Sequence, residues 1–117
     1  MSKSIIRTKS KEFAKNIIFL CRKLTLNHTE FALINQLLRA GTSIGANIYE
    51  AQYAQSTKDF ISKLEIALKE CNETAYWLEL LFETNTITID EFESFKKDYI
   101  ELRRMIVSSI TTLKKKI

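Results

Sequence analysis

Hydrophobic residues recur every three or four positions over four long segments of this chain, which is the spacing of one face of an α-helix. In the first segment, residues 4–24, the apolar positions follow a seven-residue repeat, with Ser10 in the remaining slot. Those positions are Ile6, Phe13, Ile17, Leu20 and Leu24. The stretch TLNHT then breaks the pattern, and Asn27 followed three residues later by Glu30 predicts a capping box for a second helix.

The only two glycines of the chain lie four residues apart, in the stretch RAGTSIGANIYEAQ of residues 39–52. Because glycine is poor in helix interiors, one interpretation is a loop between two short helices. The register favours a continuous helix, since Gly41 and Gly45 continue the apolar spacing of Phe31, Ile34, Leu38 and Ile48. On that interpretation both glycines face the core, where a missing side chain lets a neighbouring helix come close.

The third and fourth segments carry the most regular patterns. Ser56 with Asp59 predicts the cap of the third helix, and Thr88 with Glu91 predicts a capping box for the fourth. The apolar seams are Ile61, Leu64, Leu68, Cys71, Ala75, Leu78 and Phe82, and then Phe92, Phe95, Tyr99, Leu102, Ile106, Ser109 and Leu113. Four amphipathic helices with short connections predict an all-α fold, an antiparallel up-down-up-down four-helix bundle in a single domain of residues 1–117.

Composition agrees with long helices. The 117 residues include no proline, are 45% hydrophobic and 27% charged, and lack the many turn residues of an all-β chain. Cys21 and Cys71 fall within helical patterns without metal-ligand spacing, so we expect buried free thiols. No apolar run is long enough for a signal peptide or a membrane span, and we expect a soluble, cytoplasmic protein with no membrane partner.

Basic residues are concentrated at the two ends of the chain, whose net charge is +4. Lys11, Lys15 and Arg22 lie within about 40° of one another on the first helix. Lys97, Arg104 and Lys115 form an outward row on the fourth helix, interrupted by acids such as Glu93 and Glu101. Such rows could hold phosphates through a salt-sensitive attraction that is blind to sequence, or they could simply keep the surface soluble.

Two other sets of residues lie outside the predicted core. Three large apolar residues are expected to point outward, which favours self-association through them: Phe19, Tyr76 and Leu80. Ser43, Asn47 and Glu50 share another face of the second helix. They form either a solvated face with local hydrogen bonds or a polar network at a helix interface.

No pattern of catalysis stands out. The chain lacks a phosphate-cradling glycine loop and H-E-x-x-H, and its only histidine, His28, is predicted to lie in a turn. Acidic pairs such as Glu70 and Glu73 are expected on a solvated helix surface. We therefore expect a protein that is not an enzyme, with no catalytic residue, no cofactor and no metal.

The stretches LINQLLRAGTSIGANIYEAQ and STKDFISKLEIALKECNETAYWLELL resemble a known family. It is the family of small four-helix bundle proteins encoded by intervening sequences of bacterial 23S rRNA genes, of which the accessory variability determinant of diversity-generating retroelements is a relative. The resemblance covers residues 13–106. The chain departs from it at Gly45, where the family commonly has proline, and at Ala51, where it commonly has glycine.

The resemblance implies a homo-oligomer, commonly a pentameric ring, with no known enzymatic activity. For the retroelement relative it also implies binding of nucleic acid and of a reverse transcriptase. Two functional hypotheses follow for this chain. One is an accessory protein that holds RNA or DNA on the basic faces of its first and fourth helices, beside a separate enzyme such as a reverse transcriptase. The other is a protein–protein interaction scaffold with no role in binding nucleic acid.

Overall fold

In the computed structural model, which describes residues 3–117, the chain folds into four α-helices, and no strand occurs within that range. The helices are α1 (Lys3–Leu26), α2 (Phe31–Ala51), α3 (Thr57–Glu83) and α4 (Ile89–Lys114). Short connections over residues 27–30, 52–56 and 84–88 join them. The all-α prediction is confirmed, and each helix spans the segment in which the apolar spacing placed it.

Successive helices run in opposite directions and pack side by side. Lys9 of α1 binds Glu101 of α4 near one end of the bundle, whereas Lys23 binds Glu91 near the other end. Each helix packs on its two neighbours in the order α1–α2–α3–α4, and α4 closes onto α1 through the least extensive of the four seams. Helices α1 and α3 are therefore diagonal to each other in a four-helix bundle 48 Å long and about 20 Å wide.

The two glycines lie inside one continuous helix, as the apolar register predicts. Neither has a positive φ, and α2 runs unbroken through both. A Cβ atom at Gly41 would lie 2.8 Å from side-chain carbons of Ile17, and one at Gly45 would lie 3.3 Å from the backbone oxygen of Ser10. The missing side chains therefore let α1 approach α2 closely.

The most buried face of α2 is turned slightly away from the predicted seam. Phe31, placed in the core by the sequence pattern, is 75% exposed, and Leu38 is only half-buried. Leu37 and Ile44 are instead fully buried. The reason is that Gly41 and Gly45 lie at one edge of the buried face of α2, the edge that meets α1. The predicted seam follows this edge, so its first residue, Phe31, lies at the surface.

The other three seams lie where the pattern placed them. All five apolar positions of the α1 repeat are buried, and Ser10, in the remaining slot, donates a hydrogen bond to the Arg7 carbonyl oxygen at 3.1 Å. Some seam residues of α3 and α4, such as Leu68 and Leu113, are only half-buried but pack against the core. The period of the pattern thus identifies the core of the bundle.

Two of the three predicted caps are confirmed. The Ser56 hydroxyl accepts a hydrogen bond from the Asp59 backbone N–H at 3.1 Å. At α4 the Thr88 hydroxyl accepts from the Glu91 backbone N–H at 3.1 Å, and the Glu91 carboxylate accepts from the Thr88 backbone N–H at 2.9 Å. Both caps satisfy backbone donors that a helix N-terminus leaves free.

The capping box predicted from Asn27 and Glu30 is wrong. Glu30 itself is the N-cap residue of α2 and makes no side-chain capping hydrogen bond, while Asn27 follows directly after the end of α1. His28 adopts φ 60°, and the Thr29 N–H donates to the Leu24 carbonyl oxygen at 3.0 Å. This is a Schellman-type C-cap of α1. The residues between the two helices therefore cap the C-terminus of α1 and not the N-terminus of α2.

Candidate functional site

The three basic residues predicted on α1 all lie at the surface. Lys11, Lys15 and Arg22 are exposed, as their placement opposite the buried face of α1 requires. Lys15 forms an ion pair with Glu12 at 3.0 Å, whereas Lys11 and Arg22 form none with any residue that the structure describes. This row therefore offers two side-chain cations that are not already neutralised.

The basic row on α4 is partly neutralised. Lys97, Arg104 and Lys115 are exposed, but Glu101 lies within reach of the first two. Lys9 donates a hydrogen bond that holds the pKa of Glu101 below its ordinary value, and the charges of Lys97 and Arg104 act in the same direction. A phosphate approaching this face would meet a carboxylate as well as the cations.

The seam between α1 and α4 is open and forms a groove of mixed charge. Its larger part encloses about 530 Å³ and exposes Phe19 of α1 beside Phe95 of α4. The rim carries Lys23 on α1 and the carboxylates of Asp90 and Asp98 on α4. Between α1 and α4 the surface is therefore an apolar groove with acidic side chains on its rim, and the two helices do not form one continuous basic surface.

A second cleft, between α1 and α2, has a different character. It encloses about 470 Å³, and its walls include Arg7, Lys11 and Tyr49. The absence of a side chain at Gly45 helps to open it, because Gly45 lies on its wall. Sequence reasoning singled out Lys11 and Gly45 but missed Arg7 and Tyr49, since neither residue stands out from its neighbours on a single helix.

The residues predicted as an oligomer interface do not form a single patch. Phe19 and Tyr76 are each 56% exposed, and Leu80 is half-buried. Phe19 belongs to α1, whereas Tyr76 and Leu80 belong to α3, which is diagonal to α1 in the bundle. The Tyr76 ring packs edge-on against Trp77, with ring centroids 5.0 Å apart. The bundle thus exposes aromatic rings on two different sides.

The polar face of α2 is built from hydrogen bonds within the helix. The Ser43 hydroxyl donates to the Arg39 carbonyl oxygen at 2.5 Å, and the Asn47 amide donates to the Ser43 carbonyl oxygen at 2.8 Å. Glu50 is exposed. Ser43 and Asn47 therefore follow the local-hydrogen-bond interpretation, since both bond to carbonyls four residues earlier.

An ionic cluster between α2 and α3 escaped the sequence analysis. Arg39 donates to the Glu70 carboxylate at 3.0 Å and also pairs with Glu73. Glu70 is buried, so its expected place on a solvated surface is wrong. The hydrogen bond with Glu73 raises the pKa of Arg39, and the same bond lowers the pKa of Glu73 against the effect of desolvation. The cluster joins two helices and leaves Arg39 half-exposed.

Neither thiol is activated for chemistry. Cys21 and Cys71 are free and buried, as predicted, and burial raises the pKa of each to about 11. A thiol with a raised pKa is protonated at neutral pH and is a poor nucleophile. Within residues 3–117 no three metal-ligating side chains come together, and no helix there is long and apolar enough to cross a membrane.

Comparisons with known proteins agree with the fold. Residues 2–108 match the family described as 23S rRNA-intervening sequence protein. A crystal structure from Bacteroides thetaiotaomicron VPI-5482, described as a protein with unknown function from the S23 ribosomal protein family, is 50% identical to this chain. Its TM-score is 0.92, and the alignment covers 95% of this chain and 99% of the other. No curated protein matches. The chain belongs to the 23S rRNA-intervening sequence protein family.

Proposed function

We propose that this protein is a cytoplasmic, homo-oligomeric accessory protein without enzymatic activity that binds RNA or DNA. The observation that carries the proposal is the exposed row of Lys11, Lys15 and Arg22 on α1. Cations spaced along one helix face attract the regularly charged phosphate backbone, and the attraction needs no particular base sequence. Lys97, Arg104 and Lys115 of α4 would add to it, although Glu101 weakens the contribution of that helix.

Oligomerisation would strengthen such a row. A single bundle offers few phosphate contacts, and an oligomer repeats each contact, so that the second and later contacts form at a high effective concentration. Exposed aromatic rings on the diagonal helices α1 and α3 suit a head-to-tail arrangement, in which each copy uses two different faces. The family resemblance favours a closed ring, commonly a pentamer.

Nucleic-acid binding is tested by fluorescence anisotropy with a labelled single-stranded RNA of about 16 nucleotides and with a DNA duplex, each at two salt concentrations. We expect binding that weakens steeply as salt rises. Replacing Lys11, Lys15 and Arg22 together by alanine should make the logarithmic salt slope for the single strand shallower by about 1.4, since each of the two unpaired cations contributes about 0.7 and Lys15 is paired with Glu12.

The matched control removes the same charge from another helix. Lys58, Lys63 and Lys69 all lie on α3, and replacing these three by alanine should leave most of the binding intact. Equal losses in the two triple variants would show that only net charge matters and would contradict a binding face on α1. Absence of binding even at low salt would overturn the proposal.

Self-association is tested by light scattering, which would report a multiple of the 13.6 kDa chain. Phe19→Ser and Tyr76→Ser should each lower the mass, because a head-to-tail contact needs both faces. Phe31→Ser provides the control, since this ring is also exposed but lies outside both predicted faces. A wild-type protein with the mass of one chain would refute the oligomer.

The groove between α1 and α4 favours a second candidate function, a protein–protein interaction scaffold. Its floor contains the exposed ring of Phe19, and carboxylates line its rim, a combination that suits a partly basic polypeptide better than a phosphate backbone. An oligomer that binds no nucleic acid at low salt would support this candidate over the first.

A further inference from the structure

The cleft between α1 and α2 has the composition of an anion site. Its walls carry the side-chain cations of Arg7 and Lys11 and no carboxylate. The groove between α1 and α4, by contrast, is lined by several acidic side chains, among them Asp90 and Asp98. Because like charges would repel an anion from that groove, the α1–α2 cleft is the more favourable place for a phosphate group.

Arg7 is held in position by the end of α2. Its guanidinium donates a hydrogen bond to the side-chain oxygen of Gln52 at 2.5 Å. The side-chain nitrogen of Gln52 is buried and has no hydrogen-bond partner among the residues that the structure describes. The side-chain amide of Gln52 is therefore oriented to accept from Arg7, while its own N–H group stays unpaired within that part of the chain. A guanidinium has five N–H donors, and one bond to Gln52 leaves others free to bind a phosphate.

Aromatic rings lie beside the same guanidinium. Tyr49 lines the cleft and is 59% exposed, and its ring centroid lies 5.4 Å from that of Tyr53. The Tyr49 hydroxyl raises the pKa of Tyr53 through a hydrogen bond, while the charge of Arg7 acts in the opposite direction. Exposed rings next to cations are the combination with which proteins bind nucleotides without sequence preference.

Space for such a ligand comes from Gly45. The cleft encloses about 470 Å³, which lies within the range of small-molecule sites. Gly45 lies on its wall near the backbone of Ser10, where a side chain would fill part of the gap between the helices. The same missing side chain therefore serves both the close packing of α1 on α2 and the opening of the cleft.

We propose that the α1–α2 cleft binds one nucleotide unit, with its phosphate at Arg7 and Lys11 and its base against the ring of Tyr49. This inference rests on the proposed nucleic-acid role and names a contact site for it. The same chemistry could be presented by a free nucleotide or by one nucleotide of a longer strand, and the experiment separates these two sources.

The experiment measures binding of labelled single-stranded RNA by anisotropy and binding of AMP by calorimetry. Tyr49→Ala and Arg7→Ala should each weaken RNA binding about tenfold, whereas Tyr49→Phe should bind like the wild type because its ring can still stack. Phe31→Ala and Lys69→Ala are matched controls, since they remove an exposed ring and an exposed cation outside the cleft. Circular dichroism checks that each variant is folded.

The outcomes separate the cleft from the general function. RNA binding that depends on Tyr49 and Arg7, without AMP binding, would assign the cleft to nucleotides within a strand. AMP binding that depends on the same two residues, with no binding of RNA or of the DNA duplex, would support the cleft as a site for free nucleotides and refute the proposed function. RNA binding unaffected by both alanine variants would overturn the cleft and leave the function standing, and no binding of AMP, RNA or DNA would overturn both.

Discussion

At the scale of single residues, the chain uses its two glycines for packing and not for turning. Both lie inside α2 against α1, and the left-handed positions after α1 and α3 are occupied by His28 and Asn85, each with φ 60°. A left-handed conformation is costly for any residue with a Cβ atom, and Asn tolerates it better than most. Position 41 is the tighter of the two, because a Cβ atom there would lie 2.8 Å from side-chain carbons of Ile17, which is fully buried.

Gly41→Ala should destabilise the bundle by up to about 2 kcal/mol, measured by chemical denaturation. The clash with Ile17 costs about 1–3 kcal/mol, and the better helix propensity of alanine returns about 1 kcal/mol. Gly45→Ala is the comparison, because its added Cβ would meet the Ser10 backbone oxygen at the looser distance of 3.3 Å, and it should cost less. Combining Gly41→Ala with Ile17→Ala should cost less than the sum of the two single changes.

His28→Gly should stabilise the protein by about 0.5–1 kcal/mol. His28 is exposed and has a positive φ, and glycine adopts that conformation without the steric cost of a Cβ atom. Urea denaturation measures the gain. Glycine at the neighbouring Asn27, where φ is not positive, should destabilise instead, and equal effects at both positions would contradict the steric explanation.

At the scale of helices, one ionic cluster ties α2 to α3. The Glu70 carboxylate is buried and is held by Arg39, so removal of the guanidinium would leave a poorly solvated charge without its partner. Because Arg39 is half-exposed, solvent screens part of this interaction. Loss of this cluster should therefore destabilise the fold more than loss of a surface ion pair, but less than loss of a fully buried one.

Arg39→Ala should lower the free energy of unfolding by about 1–2 kcal/mol at neutral pH. The pKa of Glu73 is lower in the folded state than its ordinary value of 4.5, so ionised Glu73 contributes stability above that pH. This stabilisation is lost as the pH falls from 4.5 through the lowered pKa that Glu73 has in the folded protein. Denaturation of both proteins from pH 7 to acid should show the difference between wild type and Arg39→Ala shrinking over that range. A difference independent of pH would exclude the ionic contribution.

At the scale of the whole molecule, the helices pack extensively on both sides of α2 and only loosely between α1 and α4. The seams of α2 with α1 and α3 are the most extensive, whereas the α1–α4 seam opens into a groove. The two thiols report on the closed interior, because both are buried in the core between the helices. Their exposure therefore requires the bundle to open.

A thiol reagent should react slowly with the native protein and fast after denaturation, with one equivalent each for Cys21 and Cys71. Burial and the raised pKa of about 11 both suppress the thiolate that reacts. Ser62→Cys supplies the control, because residue 62 is exposed on α3 and its thiol should react at once in the folded protein. Fast labelling of the wild-type protein under native conditions would show that the bundle opens readily.

The sequence by itself determined the four helices, most of their core seams, two of the three caps and the continuity of α2 through both glycines. These features depend on residues close together in the chain, because a helix repeats every 3.6 residues and a cap joins residues three apart. It also placed the basic residues of α1 and α4 at the surface, since positions opposite a buried seam face solvent.

Only the tertiary structure decided which side chains meet across the seams. The pairing of Arg39 with Glu70 and Glu73 and the cleft that joins Arg7 to Tyr49 depend on how the helices are rotated and offset along their axes. That arrangement is set by packing of the whole core, and Gly41 and Gly45 bring α1 close to one edge of α2. No pattern within a single helix contains this information.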